Sequence, residues 1–239
     1  MRGAADVAAA VLGAHGGARL ARALGSVAWA SERVVIDPAG RIDAATLPPA
    51  VRRLESPRDL ADASDARWLL LLQEDEVATP ELAAAVVDAT TSGAAAYRIA
   101  RALELRGVTL RLPGAPIRLA RRDTARLHVG AGASLALGAS VARVGRVAAR
   151  LVIEEAGSLE EAVEALDADA AALAALLHAL RVRPRFSALA VAPLAGAAPV
   201  LAARGGPLGW GRWIAAVLAG YRAFVVQAKL WEARAEGGA

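Results

Sequence analysis

Two kinds of pattern alternate along the first two-thirds of the chain: short continuous apolar runs, and stretches with an apolar residue every third or fourth position. Val7 to Leu12 is the first run, weak because alanine fills much of it, and it leads into Gly13-Ala14-His15-Gly16-Gly17. Ala18 to Val27 reads as a helix carrying Leu20, Leu24 and Val27 along one side. Arg33 to Asp37 is β-branched and ends at an acid before Pro38, the pattern of a buried parallel strand. Pro48-Pro49 marks a loop, and Val51 to Asp65 holds a short helix or a weak strand. The clearest strand is Arg67 to Leu72, which runs into Gln73-Glu74-Asp75-Glu76. Thr79-Pro80-Glu81-Leu82 then opens a helix to about Thr90, with Thr79 as N-cap, proline first and Glu81 at the positive end of the dipole. Ala95 to Leu105 and Val108 to Leu119 read as further strands, with Gly107 and a turn at Pro113-Gly114.

Strand, acidic loop, helix, strand is the rhythm of an α/β sheet whose working edge lies at the carboxyl ends of its strands. The character changes near Ser158, where Ser-Leu-Glu-Glu161 has the capping-box pattern and Ala162 to Leu180 is helical. A basic hinge, Arg181 to Arg185, precedes two apolar stretches, Phe186 to Ala203 and Leu208 to Leu230, divided by Gly205-Gly206-Pro207. The expected division is an α/β domain over 1–157 and a helical region over 158–239.

A bilayer-spanning helix needs roughly 20 predominantly apolar residues. Phe186 to Ala203 barely reaches that length and carries Pro193 and Pro199, while the second stretch holds Arg212, Arg222 and Lys229. Each charge near a bilayer centre costs about 2.5–3.5 kcal/mol on an insertion scale, which argues against clean spanning. Trp210, Trp213, Tyr221 and Trp231 beside those cations fit an in-plane, interfacial position, over about 186–231. Two core helices of a soluble domain, or a dimer interface, would produce the same pattern.

Composition narrows the classes. Of 239 residues, 56% are hydrophobic, many of them alanine, and the charges are well mixed, so disorder is not expected. With 28 basic and 24 acidic residues the net charge is +4, and the arginines form no stripe with interleaved aromatics, so no nucleic-acid partner is expected. The absence of cysteine excludes disulfides and thiolate chemistry. The first residues lack a charged-apolar-cleavage pattern, so export is not expected.

Several segments together resemble bacterial family 2 glycosyltransferases of the kind that add glucose to the lipopolysaccharide inner core. Leu24 to Asp37 is similar to the family's helix and second strand, and Trp68 to Leu82 to its metal-loop strand with the Thr-Pro-Glu-Leu helix start. Arg118-Leu-Ala-Arg-Arg122 resembles the Arg-Leu-Phe-Arg-Arg run ahead of the acceptor site, and Trp210 to Trp231, ending Ala228-Lys-Leu-Trp-Glu232, the aromatic membrane-apposed tail. The resemblance implies a GT-A-like, Rossmann-like mixed sheet flanked by helices, with a C-terminal helical segment on the membrane. It implies a nucleotide-sugar donor, a glycolipid acceptor and a place at the cytoplasmic face of the inner membrane, peripheral or monotopic. A protein partner or a homo-oligomer is compatible with it. The metal would be Mg²⁺ or Mn²⁺, held by Asp75 with Glu74 and Glu76, since hard cations take carboxylate oxygens. Asp37 would accept hydrogen bonds from the nucleotide, or else form the turn before Pro38. Arg121 and Arg122 would face acceptor phosphate or anionic headgroups.

The chain also departs from that pattern. The family's asparagine-glutamate pair is replaced by Gly13 to Gly17, and its first metal-loop aspartate by Gln73. Its histidine-glutamate base pair should fall near Ala133 to Gly138, yet no carboxylate lies between Asp123 and Glu154. A neutral loop cannot take a proton, and losing general-base assistance typically costs about 10²–10⁴-fold. No catalytic residue is therefore assigned, and His15, His128 and His178 lack ligand spacing. The expectation is a sugar transferase of envelope glycan synthesis with impaired catalysis, the alternative a non-catalytic relative serving as scaffold or partner subunit at the membrane.

Overall fold

A computed structural model of the chain describes residues 5–13, 16–38, 40–56, 60–105, 108–111, 115–130, 134–139, 143–153, 159–179, 182, 186–202 and 209–236. The chain is an α/β protein built on a nine-stranded mixed sheet. Its first half runs β1 (Ala5–Leu12), α1 (Gly17–Ser26), β2 (Ala30–Ile36), β3 (Val51–Leu54), β4 (Trp68–Gln73), β5 (Glu76–Ala78) and α2 (Pro80–Thr91). Then follow β6 (Ala96–Leu105), β7 (Val108–Arg111), β8 (Ile117–Arg121), β9 (Ala125–Gly130), β10 (Ser134–Ala139) and β11 (Val144–Ile153). Three helices close the chain: α3 (Leu159–Ala179), α4 (Phe186–Leu201) and α5 (Trp210–Glu236). Gly107, the Pro113-Gly114 turn, the Ser158 cap and the Gly205-Gly206-Pro207 break lie outside the described residues.

The sheet order is β3-β2-β1-β4-β8-β6-β11-β5, with β7 paired to β6. β3, β2, β1 and β4 are parallel, β8 runs against both β4 and β6, and β11 lies parallel to β6. The arrangement is compatible with a Rossmann-like fold. β9 and β10 form a separate two-stranded antiparallel pair.

Both faces of the sheet are covered, so the central strands are apolar on both sides. Val7, Ala9 and Val11 of β1, with Trp68, Leu70 and Leu72 of β4, pack against Leu20, Ala23 and Leu24 of α1 and Leu82 and Val86 of α2. Ala8, Ala10 and Leu12, with Leu69 and Leu71, face Leu173 and Leu177 of α3 and Val226 and Leu230 of α5. The alanines of β1 are poor strand formers in isolation; burial between two helical layers holds them extended. Because α3 and α5 share a core with β1 and β4, the boundary near 158 separates two patterns along the chain, not two cores.

Local sequence sets the helix starts. Gly16 and Gly17 have φ of 75° and 69°, a left-handed entry into α1 that suits glycine. Thr79 caps α2, its hydroxyl oxygen accepting from Leu82 N at 3.3 Å, with Pro80 at the first helical position.

α4 and the first half of α5 form an antiparallel hairpin: Arg212 meets Val200, and Gly220 meets Pro193. A Cβ at Gly196 would sit 2.4 Å from Ala219 O, and one at Gly220 2.8 Å from Pro193 O, so glycine lets the two backbones approach. Arg212 is buried, donating from Nε to Val200 O at 3.2 Å and from Nη2 to Leu201 O at 2.6 Å. It thereby satisfies carbonyls that the end of α4 leaves open. Large apolar side chains stay exposed on this hairpin, among them Leu194, Trp210 (85%), Trp213 and Val217 (65%). Among the described residues one helix, Arg212–Ala235, is long and apolar enough to cross a membrane. Its later part is committed to the protein, since Val225, Val226 and Leu230 pack on the sheet.

Candidate functional site

In an open α/β sheet, ligands bind outside the carboxyl ends of the strands, where the strand order reverses. Here β2 and β3 are laid down on one side of β1, and the chain then returns to place β4 on the other. The switch point lies between β1 and β4. Registers Leu12↔Ile36 and Leu12↔Gln73 bring three strand ends level, so Gly13, Asp37 and the 73–76 turn share one edge.

Asp37 is buried, 1% exposed. Its Oδ1 accepts from Arg41 N at 3.1 Å and its Oδ2 from Ile42 N at 2.9 Å, while Arg53 Nε lies 3.8 Å from Oδ2. These bonds give Asp37 the turn-forming role. The loop they shape carries buried Ile42 over the end of β1, and a Cβ at Gly13 would fall 2.3 Å from Ile42 Cδ1.

The acidic turn is tighter than the sequence implies. β4 ends at Gln73, Glu74 and Asp75 form the turn, and Glu76 begins β5, which pairs antiparallel with β11. Glu74 is buried and Asp75 half-buried, each with partners of its own. Glu76 is 0% exposed, and its carboxylate turns back into the protein. Oε2 accepts from Gln73 N at 2.9 Å; Oε1 accepts from Arg118 Nη2 at 2.8 Å, with Arg101 Nη1 at 4.0 Å. Arg118 is likewise 0% exposed. Burial pulls its guanidinium below the ordinary arginine value; Glu76 opposes that shift, and the neighbouring Arg101 adds to it. Asp75 and Arg222 of α5 also lie near enough to act on Arg118.

The donor set fits a divalent cation poorly. Such an ion needs several oxygens converging with free lone pairs. Among the described residues no group of three or more acidic or histidine side chains converges in that way, and Glu76 is already taken by Arg118. Arg118 Nε and Nη1 and Gln73 Nε2 are buried without a hydrogen-bond partner among the described residues, and the same turn holds the buried oxygens Glu74 Oε1 and Asp75 Oδ1.

Arg121 and Arg122, expected near the acceptor, are not brought to this edge. β8 runs antiparallel to β4 and pairs Arg121 with Trp68, at the start of β4. Five residues of strand separate that point from Gln73, roughly 16 Å at the usual rise. Arg121 Nη2 pairs with Asp123 Oδ2 at 2.8 Å, and Arg122 donates to Ser64 O. The segment expected to hold a base falls largely on β10, which places Leu137, 3% exposed, in the core; Ala133 lies outside the described residues. His15 also lies outside them, and His178 is exposed on α3.

Arg101 and Ile42 were not singled out by the sequence, and Arg118 only as part of a basic run. A usable signal existed for Arg118: a cation flanked by Ile117, Leu119 and Ala120 on a strand is buried only if paired. No family model matches this chain, and no curated protein matches it.

Proposed function

We propose that the chain is a GT-A-like member of the sugar-transferase class, working at the cytoplasmic face of a membrane in envelope glycan synthesis, with transfer chemistry impaired. The observation that carries this reading is the switch-point edge. Parallel β1, β2 and β4 end level, and an acidic turn follows the tryptophan-bearing strand directly. The mixed sheet, in which β8 alone runs against its neighbours between β4 and β6, agrees with the fold that the sequence resemblance implies. The α4–α5 hairpin supports the membrane part of the reading: α4 carries no charged residue, and neither does Trp213 to Tyr221. The buried cation just before Trp213, Arg212, donates its hydrogen bonds to helix carbonyls. Lipid would cover the exposed tryptophans and aliphatics of the hairpin, with indoles at headgroup depth.

Impairment follows from the residues available. Glu76 is tied to Arg118, Asp37 to its own loop, and no carboxylate occurs between Asp123 and Glu154. Without a base in that segment, an acceptor hydroxyl keeps its proton as it attacks, at a cost of about 10²–10⁴-fold. The same facts favour a second reading, in which the fold serves as a non-catalytic scaffold for an active transferase on the membrane. Thermal unfolding with a panel of nucleoside-diphosphate sugars tests the nucleotide part. A raised midpoint with at least one of them supports the sugar-nucleotide edge; silence across the panel leaves only the scaffold.

A further inference from the structure

We infer that the cation of the acidic turn is built into the fold: the guanidinium of Arg118, backed by Arg101, takes the place that a divalent metal would hold beside Glu76. The inference rests on the sugar-transferase reading only for the expectation that a metal belongs there. The geometry stands without it.

Two observations carry the inference. First, Glu76 is the acid of the turn most deeply placed, and both its oxygens are engaged, one by Gln73 N and one by Arg118 Nη2 at 2.8 Å. A metal would have to displace a fully buried, charge-assisted hydrogen bond, and would leave Arg118 as an uncompensated charge in the core. Second, the cations come from separate strands, Arg118 on β8 and Arg101 on β6, while Glu76 opens β5. The ion cluster therefore ties the short β5 to the centre of the sheet, and its counter-charge is a product of folding. The guanidinium cannot dissociate, so the turn keeps its positive partner in the presence of any chelator.

Two measurements on the full chain test this. Titration with Mn²⁺ alone, followed by the electron paramagnetic resonance of the free ion, is expected to show no saturable uptake through the millimolar range. Sub-millimolar uptake that Asp75→Asn abolishes would overturn the inference. In denaturant unfolding, Glu76→Gln and Arg118→Met are each expected to destabilise strongly, while the double variant recovers at least roughly tenfold in folding equilibrium constant over the product of the single effects. Simple additivity would show that the two groups are not partners. A double variant that folds where the single ones do not counts for the pairing. The Mn²⁺ titration of the unaltered protein needs no variant. Failure of every nucleotide sugar to bind would remove the sugar reading and leave both these results standing, whereas Mn²⁺ uptake would remove the built-in cation and leave the sugar reading standing.

Discussion

At single positions, the edge between β1 and β4 is organised by what each residue is prevented from doing. Gly13 can carry no side chain because Ile42 lies over it, and Ile42 is held there by the two backbone hydrogen bonds that Asp37 accepts. Gly13→Ala is expected to lower stability by about 1–3 kcal/mol, the usual cost of overpacking. Adding Ile42→Val should recover part of that loss. A Gly13→Ala protein as stable as the parent in urea would show that Ile42 does not seal the strand end. Among the described residues, Glu81 supplies an acid response that the geometry defines. Its carboxylate is held below the ordinary range by hydrogen bonds, first from its own backbone N–H and then from the Thr79 hydroxyl. A carboxylate lowered by folding contributes stability that is present above its unfolded value, near 4.5, and is lost as pH falls through the lower folded value. Unfolding curves of the parent and Glu81→Gln should therefore differ at neutral pH and converge in strong acid. Curves separated equally at all pH values would assign the effect to something other than this charge.

Among the elements, the α4–α5 hairpin makes the most distinctive demand. Its two glycines permit a backbone approach that no larger residue tolerates, and its outer surface leaves Trp213 and Val217 in solvent. Vesicles containing anionic lipid should float with the parent protein. Trp213→Ser with Val217→Ser should reduce that binding by roughly tenfold or more, given about 1.5–3 kcal/mol for each large apolar side chain that would be fully buried. Because both side chains are exposed, the fold should survive, which far-ultraviolet circular dichroism checks. Undiminished flotation would remove the hairpin as the membrane contact. The helices and most parallel strands were legible in the sequence because their apolar spacing matches their burial. α2 is the clearest case, with Thr79, Pro80 and Glu81 each in the expected role. Val51 to Leu54 was ambiguous, and pairing with β2 resolves it as a strand. The strand after the Pro113-Gly114 turn was expected to end at Leu119, whereas β8 runs to Arg121, and local pattern carries no information on its direction. Antiparallel pairing sends Arg121 and Arg122, expected to face acceptor phosphate or anionic headgroups, to the edge opposite the acidic turn.

For the molecule as a whole, charge and shape point the same way. A sheet with a switch-point edge, covered on both faces, presents a turn rich in acids, and the fold answers that turn with its own arginines. The acids were visible in the sequence; their partners were not, because Arg101 and Arg118 lie 25 and 42 positions beyond Glu76 and meet it only through the sheet. The central claim is a sugar-nucleotide edge whose charge is balanced internally and whose chemistry is thereby curtailed. Release of nucleoside diphosphate from a panel of nucleotide sugars, measured with Mn²⁺ present and absent, tests it most directly. The expected result is slow release that the metal leaves unchanged. Metal-dependent release that disappears in Asp75→Asn would contradict it.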